Sequence, residues 1–284
     1  MQTTRELLDL IQLEQMSDKV FLGKNGYMGS PNIFGGQLVA QALNAAIRSV
    51  SPERICHSLH AYFILPGNLK LPVIYEVEHI KEGGSFTVCD IVAKQDNTSI
   101  FVMTASFHKQ EEGYEHQVDM PEVPEPEMLT KWLDIPLLED AEKLKKIKNF
   151  INAERPVEMR TCFQPDYSRS EINNHNPVWF RFREFPQQLE WIAVQQLIAY
   201  ASDYNILGTA LRTHGDRASY ANTHVASLDH SIWFHHTSDI GDWLLFDLVS
   251  PVAASVRGFA TGRIFNRSGK LVASVAQEGL LRPV

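Results

Sequence analysis

The sequence predicts an α+β chain of two tandem units, in each of which one long apolar helix is wrapped by an antiparallel sheet. Three observations carry this. The same order of elements, a helix and then a run of strand-like segments, occurs twice along the 284 residues. Both helix segments are apolar nearly all round, as a helix enclosed by a sheet must be. A stretch rich in proline and acids separates the two blocks. Hydrophobic residues make up 44% of the chain and aromatics 10%, enough for a packed core.

The first unit is assigned to residues 1–110. It opens on "MQTTRELLDLIQLEQM", a short amphipathic helix with acids and no long apolar run, so it is not read as a secretory signal. "GGQLVAQALNAAIRSV" is the central helix, introduced by Gly35-Gly36. "HSLHAYFIL" is a strand closed by Pro66-Gly67, and "PVIYEVEHI" a second, ended by the turn at Gly83-Gly84. "SFTVCDIVAKQ" and "SIFVMTASFHKQ" form a hairpin around "DNT".

Residues 111–155 read as an exposed linker, with Pro121, Pro124 and Pro126 among acids. Within it "EDAEKLKKIKNFI" predicts a solvated helix, acids early and lysines late, in keeping with the helix dipole. The second unit, 156–284, repeats the first. "EWIAVQQLIAYAS" is its helix; "HVASLDHSIWFHH" and "DWLLFDLVSPVA" are strands. "SVRGFATGRIFN" and "KLVASVAQEGLL" form a hairpin around "RSG". One helix under a curved sheet of this size is the hotdog arrangement, and two in one chain make a double hotdog.

A net charge of −8 gives no basic face for nucleic acid. Cys56, Cys89 and Cys162 show no CxxC pairing and are odd in number, so they read as reduced thiols of a cytoplasmic protein. No run is long and apolar enough to span a membrane, and the closing "LLRPV" is not a peroxisomal address. Trp233 and Val88 alternate onto sheet faces the helices do not cover, which predicts a homo-oligomer, a dimer or tetramer.

There is no GxSxG, Walker loop, GxGxxG or HExxH. Hydrolytic chemistry would therefore rest on water activated by a side chain. Asp203 is the one charged residue between Trp191 and Leu211. Either Ser202 or Asp203 caps the turn that follows, or Asp203 acts as a general base, and a carboxylate just after a helix is disfavoured by that helix's dipole. Gln277 ends the apolar face Leu271, Ala273, Val275, either as a strand-end residue or as part of a site. Ser227 supplies a hydroxyl. Strict alternation along its strand turns it away from the helix, unless a bulge or a strand start intervenes.

His57, His60, His230, His235 and His236 cluster in the two matching strands, at no spacing that suits zinc, so no metal is expected. His230 on an apolar face reads as a satisfied core histidine, and His57 as structural or as lining a pocket. Gly36 is either part of a tight loop or the source of a backbone N–H for a developing oxyanion.

"FGGQLVAQAL", "HSLHAYFILPG", "YASDYNIL", "LDHSIWFHH" and "VASVAQEG", in this order and at these intervals, resemble the acyl-CoA thioesterase II (TesB-like) family over nearly the whole chain. The resemblance implies a double hotdog that hydrolyses acyl-CoA to free fatty acid and coenzyme A, without cofactor. It also implies that an Asp, a Thr or Ser and a Gln hold the attacking water. The Asp of "YASD" is Asp203, the hydroxyl residue just before "LDHS" is Ser227, and the Gln of "AQEG" is Gln277. Bacterial relatives often have Thr where this chain has Ser227. A hotdog enoyl-CoA hydratase or dehydratase and a non-catalytic acyl-CoA-binding module are the alternatives. The first needs a His close after the Asp, and none follows Asp203 closely. Arg257, Arg263 and Lys270 are basic residues that could meet coenzyme A phosphates or simply be solvated.

Overall fold

The computed structural model describes residues 1–131, 153–162 and 173–284. Helix α1 (Thr4–Ile11) starts at a capping box in which Thr3 and Glu6 satisfy each other's backbone N–H, and it buries Leu7 and Ile11. Two short strands follow, β1 (Glu14–Ser17) and β2 (Val20–Gly23). The central helix α2 (Gly35–Ser49) is buried from Gly36 to Ala46 and has no side-chain cap from its own segment. The strands β3 (Arg54–Phe63), β4 (Val73–Glu82), β5 (Phe86–Gln95) and β6 (Thr98–Lys109) complete the first unit.

The second unit begins with β7 (Val157–Thr161) and β8 (Val178–Phe182). Helix α3 (Trp191–Ala201) and a shorter α4 (Ile206–Arg212) come next. The last strands are β9 (Thr223–Ser227), β10 (Asp229–Phe234), β11 (Leu244–Ala254), β12 (Arg257–Asn266) and β13 (Leu271–Pro283). The strands form one sheet in the order β1-β2-β4-β5-β6-β3-β10-β13-β12-β11-β8-β7, with β9 paired to β13. The order plays the same roles from either end. β3 and β10 meet antiparallel at the centre, with His60 opposite Ser231. The sheet curls around α2 and α3, which lie antiparallel, Gly36 against Tyr200 and Asn44 donating to Gln196 at 3.3 Å. This is the double hotdog.

The structure departs from the sequence reading in four places. The hairpins β1–β2 and β7–β8 add strands that no alternation announces; β1 is exposed along its whole length. The strand expected over 224–236 is broken at Leu228 into β9 and β10. The apolar run after α3 turns at Asn205, in the left-handed region at φ 62°, and re-enters helix as α4. The described part of the proline-rich linker is largely exposed, as expected, but it is also docked at a few points. Met120, Val123 and Leu129 pack on Trp179, Trp243, Leu245 and Phe265, and the Trp179 indole donates to Pro124 O at 2.9 Å. The helix expected over 139–151 lies outside the described residues.

Candidate active site

Asp203 sits in the turn between α3 and α4, but it does not cap α4, whose N-cap is Asn205. Its carboxylate reaches across to the other unit, where Oδ2 accepts the Gly36 N–H at 2.9 Å. Asp203 therefore lies at the unfavourable end of its own helix and at the favourable, positive end of α2. It supplies the cap that α2 lacks locally. The glycines make this approach possible. A Cβ on Gly36 would come 2.3 Å from Tyr200 O, and one on Gly35 2.7 Å from Asp203 Oδ2.

Gln277, on β13, is buried and donates Nε2 to Asp203 Oδ1 at 3.2 Å and to Ser227 Oγ at 2.8 Å. Ser227 joins them because of a β-bulge. Between Ser227 opposite Gly279 and Ser231 opposite Ala276, four steps on the β9–β10 side face three on β13. The extra residue resets the alternation and turns Ser227 to the inner face. The three residues singled out in the sequence thus converge on one point, at the seam between α2, α3 and β13.

Burial pushes the Asp203 carboxyl up to about 7, against hydrogen bonds from Gln277, Gly36 and Ser227 that pull it down. Asp203 and Ser227 both keep partial exposure to solvent. A carboxylate of this acidity, open to water on one side and fixed on the others, is suited to take a proton near neutral pH. Tyr200 and Tyr204 line the turn, with the Tyr204 hydroxyl donating to the Tyr200 hydroxyl at 3.2 Å.

His230 is a satisfied core histidine, as its place on an apolar face suggested. It is fully buried, with Nδ1 on Gln277 Oε1 and Nε2 2.9 Å from Ser202 Oγ. In the sequence Ser202 reads only as a candidate cap of the following turn, and a serine one residue before an acid carries no signal of this contact. His57 is not brought to the site. It sits at a bulge in β3, its Nε2 2.8 Å from Ser106 Oγ and its ring against Phe86 and His108. Phe63, the β3 residue that meets Gly35 beside Asp203, lies six residues on, about 20 Å along a strand. The Gly36 amide, considered for an oxyanion, is taken by Asp203. Arg257 pairs with Glu278 and Arg263 with Asp247, so both are engaged on their own sheet. Among the described residues no group of three or more His, Cys, Asp or Glu is arranged to hold a metal ion, and no helix is long and apolar enough to cross a membrane.

Residues 147–280 match the family profile described as acyl-CoA thioesterase, and residues 25–108 the profile described as acyl-CoA thioesterase N-terminal domain. The chain is 39% identical to acyl-CoA thioesterase 2 of Haemophilus influenzae, over 97% of this chain and 96% of that protein. It is 36% identical to acyl-coenzyme A thioesterase 8 of Mus musculus, over 96% of this chain and 88% of the relative. A crystal structure of an acyl-CoA thioesterase II from Mycobacterium marinum superposes with a TM-score of 0.79 at 32% identity, covering 98% of both chains.

Proposed function

The chain belongs to the acyl-CoA thioesterase family and is a thioester hydrolase, and from that premise we propose that Asp203 is its general base, with Ser227 and Gln277 holding the attacking water. One observation carries this reading. A carboxylate whose acidity is moved to about 7 is held by groups from both units and keeps an opening to solvent. In the reaction Asp203 takes a proton from the water as the oxygen attacks the thioester carbonyl. When the tetrahedral intermediate collapses, the carbon–sulfur bond breaks and the proton returns to the departing thiolate. Free acid and coenzyme A result. The thiolate is a good leaving group, so this modest apparatus suffices. Gly36 serves the base rather than the oxyanion, since its N–H fixes Oδ2.

Thiol release from decanoyl-CoA and palmitoyl-CoA tests the reading. Gln277→Ala should lower kcat by roughly 10–100-fold with little change in KM, because the amide is assigned to water and base and not to substrate. A change confined to KM would move Gln277 out of the water site and into the acyl or coenzyme A pocket.

We further propose a homo-oligomer in a reducing, cytoplasmic compartment. Trp233 and Tyr62 stand exposed on the outer sheet face near the seam, and Cys56, Cys89 and Cys162 are free thiols. A monomer mass by sedimentation at micromolar concentration would count against the oligomer.

A further inference from the structure

We propose that His230 is a positioning residue whose ring sets the orientation of the Gln277 amide and, through it, the hydrogen bonding of Asp203. The proposal rests on the reading of Asp203 as base and adds the device that holds it. An ionised carboxylate only accepts. A primary amide has nearly the same shape either way round, so shape does not choose which end of Gln277 faces Asp203. If Oε1 faced it, two acceptors would meet at the 3.2 Å now bridged by a donated hydrogen. Gln277 must therefore turn Nε2 to Asp203 and Ser227, which leaves Oε1 on His230 Nδ1.

Nδ1 then carries the ring hydrogen. His230 is fully buried, and burial pushes its imidazolium down to about 4, so the ring is neutral and Nε2 is bare. Nε2 accepts from Ser202 Oγ at 2.9 Å. The one hydroxyl hydrogen of Ser202 has Ala199 O at 3.0 Å as its alternative. The hydrogen bonds run from Ser202 to His230 to Gln277 to Asp203, and Ser202 immediately precedes Asp203, so they close on the turn where they began. Burial alone requires partners for both ring nitrogens; what singles out His230 is that one partner is the amide that reaches Asp203.

The first unit supports this by contrast. One step beyond Ser231 opposite Ala276 lie His230 and Gln277; one step beyond Ser58 opposite Ser106, past the bulge at His57, lie Cys56 and Phe107. The end without a carboxylate has no His–Gln pair. The other titratable groups near Asp203 do not compete in its pH range. Burial holds Tyr200 and Tyr204 above the ordinary phenol range, and Arg155, 6.0 Å over the Tyr204 ring, is a guanidinium. Asp229 and Glu278, next to His230 and Gln277 along the strands, alternate to the opposite face.

The test compares His230→Phe and His230→Asn, with Asp203→Asn as control. It measures kcat, KM and the titration midpoint of the Asp203 carboxyl carbon by 13C NMR. His230→Phe should lower kcat roughly 10–100-fold, leave KM within about twofold and raise the midpoint by about one pH unit, since the ionised form loses an oriented donor. In His230→Asn the amide nitrogen can stand where Nδ1–H stood, and most of kcat and the midpoint should return. A wild-type midpoint in folded His230→Phe overturns the proposal, as does equal impairment of both variants with the midpoint unmoved. Should His230→Phe fail to fold, Ser202→Ala decides. It releases the other tautomer and should raise the midpoint by a smaller step; an unmoved midpoint there overturns the proposal. If Asp203→Asn keeps wild-type turnover while the midpoint still moves in His230→Phe, the base reading falls and the positioning stands. If Asp203→Asn is inactive and the midpoint does not move, only the positioning falls.

Discussion

β3 and β10 pair side by side at the middle of the sheet, and the two units they belong to are built alike yet furnished differently. In the second unit the residues beneath the helix ends are His230, Gln277 and Ser227, gathered on Asp203. In the first, the matching strand positions are Cys56 and Phe107, both buried, and α2 runs out through Ser49, Val50 and Ser51 without an acid. The same scaffold thus holds a polar constellation at one end and ordinary core at the other. The fold does not require a buried carboxylate there. A partly buried charge costs free energy that packing alone would not tolerate, so its presence at one end only is a sign of use.

Breaking the contrast at its strongest point should have the largest effect. Asp203→Asn should keep the fold and lower turnover by roughly 10²–10⁴ in a thiol-release assay. Phe107→Leu, at the other end, should leave kcat unchanged and cost about 1 kcal/mol of stability by denaturant unfolding. A near-wild-type rate in folded Asp203→Asn would remove the distinction between the two ends.

Next in size is Gly36→Ala, because its Cβ would fall 2.3 Å from Tyr200 O and force α2 away from α3. Displacing the base by about 1 Å can cost on the order of 10²-fold in kcat. Gly84→Ala, where nothing lies within 4 Å of the added carbon, is the matched control and should behave as wild type. Ser227 sharpens the comparison further. Threonine keeps the hydroxyl and should stay active, whereas alanine should lose roughly 10–100-fold in kcat. Ser106→Ala, whose hydroxyl meets only His57 among the hydrogen bonds described, should not.

The smallest effect is on stability. The folded carboxyl of Asp203 sits near 7, above its ordinary value of 3.8. The folded state thus binds the proton more tightly than the unfolded one, and stability falls as pH rises between those values. At about 1.4 kcal/mol per unit the full cost above pH 7 is roughly 4 kcal/mol. Asp203→Asn removes it, less what the amide loses by facing the donors of Gly36 and Gln277. Its Tm should exceed wild type by roughly 3–6 °C at pH 8, with the gap closing toward pH 5. Equal gaps at both pH values would mean that Asp203 carries no such cost.

Both helices and the long strands were legible because their periodicity is strong: α2 and α3 are apolar runs, and β5, β6, β12 and β13 alternate. The short hairpins were not. β1 has no buried face, and β7 and β8 acquire theirs only by packing against distant strands. Asp203 and Gln277 stood out as polar residues ending apolar faces. The inward turn of Ser227 could not be read, because a one-residue bulge leaves no mark in the residue types. Nor could the partner of Asp203, which is a backbone N–H 167 positions away. His230 was visible only as a histidine on an apolar face. Its use appears once β13 brings Gln277 beside it.

The bond from Gly36 to Asp203 makes the full setting of this carboxyl, the proposed base, a property of assembly. Before the two units meet, Asp203 lacks the Gly36 N–H and α2 is missing its cap, while Gln277 and Ser227, of the same unit as Asp203, remain its neighbours. Docking delivers both at once: the helix start is closed, and Asp203 gains its partner from the first unit. On the proposed role of Asp203, full activity should therefore require both units. Two fragments cut within the linker should regain activity only on recombination. Fusing both units into one polypeptide keeps that requirement free of concentration, because the second unit is always within reach of the first.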